Sequence, residues 1–248
     1  MDLKTFFTQN PRAALAFSGG VDSSYLLYAA KQYGCNVHAY FIKSAFQPQF
    51  ELDDAHRLAE QLHVPFTVAE FDALENPQVA ANDALRCYYC KTTLFTQLRK
   101  LAAQDGFSLL MDGTNASDCF EGRPGMRALQ ELGVRSPLRE CGLTKDDIRR
   151  LSREAGLFTS EKPSYACLAT RIPTGTAITE DMLKKVEQGE NVMFAMGFTD
   201  FRIRLFHGAA KIQLPENQFP MAIEKKNELN QALSPYFDGV LLDLTPRV

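Results

Sequence analysis

The most constraining feature of this chain is the segment Ser18-Gly19-Gly20-Val21-Asp22-Ser23-Ser24. It lies between a short apolar run at residues 13–17 and a helical pattern at residues 21–33. A strand that stops at two glycines and continues as a helix, with Val21, Tyr25, Leu26 and Ala29 along one face, is the first unit of a parallel α/β sheet. Gly19 and Gly20 carry no Cβ, so backbone N–H groups there can approach an anion closely. The helix N-terminus adds unsatisfied donors and the positive end of its dipole. Ser18, Ser23 and Ser24 add hydroxyls. Asp22 would repel a phosphate, but it suits a Mg²⁺ ion riding on pyrophosphate. The segment is neither GxxxxGK[ST] nor GxGxxG. The plain alternative is a Gly-Gly turn with an Asp/Ser helix cap, and the register of strand, loop and helix argues against it.

The pattern then repeats. Strands are expected at residues 36–42, 64–70 and 107–112, and helices at 51–63 and 79–104. Such alternation gives a doubly wound, mainly parallel sheet with right-handed crossovers. Asp112-Gly113-Thr114-Asn115 ends a strand at the same sheet edge as the glycine loop, where open parallel sheets bind ligands. Gly113 and Thr114 are therefore expected to line a nucleotide pocket, and Asp118 to help hold the metal. Thr144, Asp147 and Gly156 bracket a capped helix at 144–155. After a proline-bearing loop (163–173), a long helix (179–196), two strands (201–205 and 209–214), a helix (219–232) and a last strand (239–244) form an αββαβ tail. With 248 residues, 45% of them hydrophobic, the chain is expected to divide into residues 1–174 and a small domain at 175–248.

Six cysteines are too few for a disulfide scaffold at this length. No long apolar run follows a basic start, and no stretch approaches a membrane span, so a cytoplasmic setting without membrane partners is expected. In a reducing compartment the Cys87-Tyr88-Tyr89-Cys90 pair serves redox, zinc or iron–sulfur chemistry. Cys167 is a third thiol. Three thiolates can hold a [4Fe–4S] cluster with one iron left open for an exogenous sulfide. Cys35, Cys119 and Cys141 read as structural. Lys162 and Arg171 flank Cys167, and such cations raise the thiolate fraction of a nearby thiol. A thiolate beside an adenylated carboxylate is set up for acyl transfer.

Arg202 and Arg204 stand two apart on a strand and so share a face. With Arg171 they are expected to form an anion site for a substrate phosphate or carboxylate, with Glu187 and Glu190 orienting them. The plain alternative is a solvated strand face.

The glycine loop resembles that of the PP-loop ATP pyrophosphatases, which fold as adenine-nucleotide-alpha-hydrolase-like α/β domains and cleave ATP between the α and β phosphates. The resemblance narrows at Lys162-Pro163-Ser164-Tyr165-Ala166-Cys167-Leu168-Ala169-Thr170-Arg171-Ile172-Pro173-Thr174-Gly175. This stretch is similar to the KPxxxCLASRIPxG signature of the LarE family, the ATP-dependent sulfur transferases of nickel-pincer nucleotide biosynthesis. Thr114 to Asp118, Arg123-Pro124-Gly125, residues 131–157, Phe201 to Arg204 and His207-Gly208 also resemble that family. Departures are small: Thr170 stands where Ser is usual, and Phe158 where Pro is common.

The resemblance implies that carboxylates of pyridinium-3,5-biscarboxylic acid mononucleotide are adenylated with ATP and Mg²⁺. It further implies that Cys167 attacks, expelling AMP, on the way to the bisthiocarboxylic acid precursor of the lactate racemase cofactor. In a sacrificial type the cysteine gives up its own sulfur. In a three-cysteine type a [4Fe–4S] cluster relays sulfide, and Cys87, Cys90 and Cys167 match that type. The resemblance also implies a homo-oligomer, a hexamer. The alternative functions are a PP-loop tRNA thiolase, a nucleotide- or cluster-binding sensor, and an amidotransferase-type synthetase. A net charge of −3 and the lack of an added basic module weigh against nucleic acid.

Overall fold

A computed structural model describes residues 1–119 and 122–247. In chain order the elements are α1 (Leu3–Gln9), β1 (Arg12–Ala16), α2 (Val21–Gln32), β2 (Asn36–Lys43), α3 (Gln49–Gln61), β3 (Phe66–Glu70), α4 (Pro77–Ala80), α5 (Arg86–Gln104), β4 (Leu110–Met111), α6 (Pro124–Glu131), α7 (Pro137–Glu140) and α8 (Lys145–Glu154). The tail follows with α9 (Glu180–Ala195), β5 (Arg202–Phe206), β6 (Ala209–Gln213), α10 (Phe219–Glu224), α11 (Lys226–Leu233) and β7 (Val240–Leu242).

The first sheet has the order β3-β2-β1-β4, and every pairing in it is parallel. Side chains of successive strand residues point to opposite faces, and both faces are covered. Ala13 and Leu15 of β1, with Val37, Ala39 and Phe41 of β2, pack into a cluster with α1, α2 and α3. Ala14 and Tyr40 turn the other way, into a cluster with Leu94 and Leu98 of α5 and Met126 and Leu129 of α6. Two-sided burial explains why these strands read as continuous apolar runs rather than alternating ones. The chain moves outward from β1 to β3 and then returns to β4 on the other side of β1. The gap between the C-terminal ends of β1 and β4 is therefore the switch point where a ligand fits.

The second sheet has the order β5-β6-β7, with β5 and β6 antiparallel and β6 and β7 parallel. Helix α9 covers it through Leu183, Val186 and Met193, in one cluster with Ile203, Ala210 and Ile212. Gly189 permits this close approach, since a Cβ there would lie 2.7 Å from the Phe237 ring. The cluster also takes in Phe46, Val79, Leu168, Ala169 and Ile172, so its packing draws on both sides of residue 175.

Three expectations are corrected. The helix read over 79–104 is two helices, because the chain turns at Asn82, whose φ is +55°. The strand read over 107–112 shrinks to Leu110–Met111; it pairs with Ala14 and Leu15, while Arg135 bridges to Met111 from the other side. The helix read over 219–232 is interrupted at Lys225. Helices α1 and α6 were not foreseen, although Pro124 at the first turn of α6 is a start signal.

Candidate functional site

Asp22 opens the first turn of α2, directly after the glycine loop. Gly19 has φ +70°, and a Cβ on it would lie 2.9 Å from the Glu51 carbonyl oxygen and 3.2 Å from Ala55. Only glycine meets both demands, so α3 can press against the back of the loop. Gly113 does the same at the front, where a Cβ would lie 2.9 Å from the Ser23 nitrogen. The Ser18 and Ser23 hydroxyls are 3.1 Å apart, and the Ser23 hydroxyl donates to the Gly20 carbonyl at 3.2 Å.

Ser18, Gly20, Asp22, Ser23, Gly113, Thr114 and Asp118 line one cleft at the switch point. Gly19 and Ser24 do not line it. Ser24 is fully buried and its hydroxyl has no partner among the described residues, so it faces the core. Asp112 anchors the far wall, accepting from the Thr114 hydroxyl at 2.6 Å and the Ser136 hydroxyl at 2.7 Å. Asp22 accepts from Lys145 at 2.6 Å and from the Asn115 amide at 3.3 Å. Asp118 accepts from the Asn115 N–H at 3.0 Å and lies 3.6 Å from Arg123.

Beside this cleft is a mostly apolar cavity of about 280 Å³, lined by Cys87, Cys90 and Cys167 together with Ser18, Arg86 and Lys91. Cys87 and Cys90 project from the first turns of α5, three residues apart and hence on neighbouring positions of one face. Cys167 comes from the proline-bearing loop, just before the turn Leu168–Arg171. Gly125 lets α6 close over α5, since its Cβ would meet Lys91 at 3.1 Å. Ser18 and Lys91 line both the cleft and the cavity. Cys35, Cys119 and Cys141 do not line the cavity. Cys35 is buried, donates to the Asn10 carbonyl at 3.4 Å and is pushed up to about 11 by burial.

The expectation of an activated Cys167 thiol is corrected. Burial raises Cys167, against the pull of Arg86 and Arg171. Burial likewise pushes Cys90 up to about 12. Lys162 has its hydrogen bonds elsewhere. It donates to Asp54 at 2.6 Å and to the Gly19 carbonyl at 3.3 Å, bracing the glycine loop. Among the described residues no group of three or more His, Cys, Asp or Glu side chains is arranged to hold a metal ion. The three thiols share a cavity without forming a ready ligand set.

The arginines are distributed differently from one another. Arg171 is fully buried and donates through Nε and Nη2 to Glu190, at 2.9 and 3.2 Å, and through Nη1 to the Ala166 carbonyl at 2.7 Å. Glu190, equally buried, also accepts from the Tyr165 hydroxyl and from the Ile203 N–H at 3.0 Å. Arg202 is buried and donates to the Phe201 carbonyl at 2.6 Å and to the Ser164 carbonyl; burial, then Arg171 and Arg247, pull it down to about 10. Arg204 is exposed and donates to Gln213 at 2.7 Å and to the Thr170 carbonyl at 2.8 Å. All three thus hold the loop that carries Cys167. Glu190 orients Arg171, whereas Glu187 accepts from the Gln49 N–H at 2.8 Å, at the start of α3.

Arg86, Lys91, Lys145 and Glu51 were not singled out from the sequence. The first two flank the CxxC pair, which was signal enough. Lys145 begins a helix already read as capped. Nothing local marks Glu51, a buried side chain of α3 that burial pushes up to about 7 against Lys162, Arg171 and Arg202. No helix among the described residues is long and apolar enough to cross a membrane.

The asparagine synthase family profile matches residues 8–189. An uncharacterized protein of Synechocystis is 34% identical over 98% of this chain and 92% of its own. The pyridinium-3,5-bisthiocarboxylic acid mononucleotide synthase of Lactiplantibacillus plantarum is 32% identical over 94% of this chain and 86% of its own. A tRNA-specific 2-thiouridylase of Methylobacterium nodulans is 28% identical over 62% of this chain and 50% of its own. With a glycine loop at the sheet switch point, a cysteine cavity opening beside it and relatives of this coverage, the chain belongs to the LarE family of PP-loop enzymes.

Proposed function

We propose that this protein is an ATP-dependent sulfur transferase that replaces carboxylate oxygen by sulfur on pyridinium-3,5-biscarboxylic acid mononucleotide. One observation carries this reading: the phosphate cleft and the cysteine cavity share Ser18 and Lys91, so an acyl group activated in the first lies beside a thiol in the second. The full-length relative named for the bisthiocarboxylic product supplies the substrate class.

The chemistry follows in two stages. The substrate carboxylate attacks the α-phosphorus of ATP, forming the acyl-adenylate and releasing pyrophosphate. Backbone N–H groups at Gly20 and the start of α2, with Ser18 and Ser23, cradle the phosphates. Asp22 and Asp118 would hold Mg²⁺, and Lys91 and Arg123 face the same cleft. Cys167 then gives its proton to water, attacks the acyl carbon and expels AMP. In the sacrificial route the Cα proton is lost to water, the Cα=Cβ bond forms and the Cβ–S pair leaves with sulfur, giving the thiocarboxylate product and dehydroalanine in the chain.

Three thiols with no carboxylate or imidazole in the cavity lining match the donor type of a [4Fe–4S] cluster, and they would have to draw together from their present spacing to hold one. Cys87, Cys90 and Cys167 would hold it, and when bound it supplies a sulfide on its open iron. Arg171, Arg202 and Arg204 set the Cys167 loop; Arg204 is exposed, and Arg202 lines a separate cavity with Lys162 and Tyr165, so these two are the arginines a substrate anion would meet.

The test is an anaerobic assay with ATP, Mg²⁺ and substrate, following AMP, pyrophosphate and product mass. Each oxygen replaced by sulfur adds about 16 Da to the substrate, and sacrificial donation removes about 34 Da from the chain. Cys167→Ala is expected to abolish sulfur transfer while adenylation continues. AMP release with no mass gain on the substrate, from protein supplied with iron and sulfide, would refute the reading.

A further inference from the structure

The helix that carries Cys87 and Cys90 does not run on from α4. Between them the chain turns at Asn82, a fully buried residue in the left-handed region, with φ +55°. Asparagine tolerates that region better than other side chains, and here its surroundings also hold it. Here the side chain is fully engaged. Its Nδ2 donates to the Pro173 and Thr176 carbonyls, each at 2.9 Å, and its Oδ1 accepts from Arg86 at 2.6 Å. Its own carbonyl accepts from the Gly175 N–H at 2.9 Å.

Arg86, one turn on, donates through the same Nη1 to the Ala169 carbonyl at 2.9 Å, and through Nη2 to the Cys87 sulfur at 3.4 Å. The two residues therefore grip the Cys167 loop at Ala169 and again at 173–176. Arg86 touches a thiol of the CxxC pair at the same time. The Ile178 N–H adds a tie to the Ala80 carbonyl at 2.8 Å, before the turn, and Cys90 and Cys167 pack against the same apolar cluster; neither contact reaches α5 by a hydrogen bond.

We propose that Asn82 and Arg86 are positioning residues that fix the separation between the Cys87/Cys90 pair and Cys167, so that the three thiols act on one bound group. This rests on the three-thiol reading above. It assigns a role to Asn82, which lines neither the nucleotide cleft nor the cysteine cavity, and to Arg86, which lines the cavity but not the nucleotide cleft.

Arsenite tests it without a cluster. Three thiols displace three hydroxides from As(OH)₃ as water, with no change of oxidation state. Reduced wild-type protein is expected to bind one arsenic and to protect Cys87, Cys90 and Cys167 from iodoacetamide, read by peptide mass spectrometry. Asn82→Gly keeps the left-handed turn but removes the side-chain grip. Arg86→Lys keeps the charge but cannot bridge Asn82, Ala169 and Cys87 together. In both, Cys87 and Cys90 are expected to stay protected while Cys167 alkylates at least about tenfold faster. Thiolated product per AMP should fall by a similar factor, with AMP formation held within about twofold.

Continued protection of Cys167 in either variant overturns the proposal and leaves the three-thiol reading standing. So does an equal fall in AMP and product, the mark of a general loss of structure. An unprotected Cys167 in the wild type removes the three-thiol reading itself, and the clamp with it.

Discussion

Lys145, the first residue of α8, places its ammonium 2.6 Å from the carboxylate of Asp22 in the phosphate loop. The capped helix thus delivers a cation to the carboxylate proposed to hold Mg²⁺, and Mg²⁺ binding there is expected to compete with Lys145. Both side chains are only partly buried, so the pair contributes about 1 kcal/mol or less to folding. Asp22→Asn is expected to leave the urea midpoint nearly unchanged. AMP formation at limiting Mg²⁺ should fall at least about tenfold, with partial recovery as Mg²⁺ is raised. A Mg²⁺ titration of AMP release at fixed ATP checks this, and an unshifted curve would remove Asp22 from the metal site.

The glycine loop makes a sharper stability prediction. Gly19→Ala must place a methyl 2.9 Å from the Glu51 carbonyl oxygen, at a φ of +70°. Strain and overpacking together are expected to cost about 1–3 kcal/mol and to abolish ATP binding in calorimetry. Gly34→Ala serves as the comparison. It has a similar φ of +77° but nothing within 4 Å of its Cβ, so it should show the strain alone and keep ATP binding.

The sequence made the glycine loop legible because its signals are local: an apolar strand, two glycines and a helical face in register. The order of the elements was legible for the same reason. What stayed hidden depends on long-range geometry. The break before α5 could not be read, because apolar spacing continues through Val79 and Leu85 and only a tertiary grip on Asn82 turns the chain. Strand β4 keeps only Leu110 and Met111, with β1 on one side and Arg135 bridging Met111 on the other. The convergence of Cys87 and Cys90 with Cys167 rested on family resemblance, and the cavity now brings them together. Basic residues near Cys167 promised a lowered thiol, but a sequence carries no burial, and burial dominates.

Glu51 predicts a pH dependence. Burial raises its carboxyl from the ordinary 4.5 to about 7. Between those values the folded chain keeps a proton that the unfolded chain has released, so stability falls as pH rises through that window and levels off above about 7. Below about 4.5 both states are protonated and the penalty is absent. Glu51→Gln mimics the protonated form. It is expected to match the wild type near pH 4.5 and to exceed it by about 3 kcal/mol at pH 8. Urea unfolding at the two pH values decides it; equal stability at pH 8 would show that Lys162, Arg171 and Arg202 stabilise the carboxylate fully.

The buried pair of Arg171 and Glu190 ties the Cys167 loop to α9 and, through the Ile203 N–H, to β5. Both side chains are 1% exposed, and a charge left there without its partner is costly. Glu190→Ala is expected to lose about 3–5 kcal/mol in urea unfolding. The pair itself is a weaker contributor, because each ion gives up its hydration on burial. Arg171→Met combined with Glu190→Leu should therefore recover much of that loss, short of the acceptor that Ile203 and Tyr165 no longer find. The double variant also lacks the Arg171 donor to the Ala166 carbonyl next to Cys167. The double variant is thus expected to fold and to form AMP while yielding little thiolated product. Full sulfur transfer by a stable double variant would show that this salt bridge supports the fold alone and leaves the position of Cys167 to other contacts.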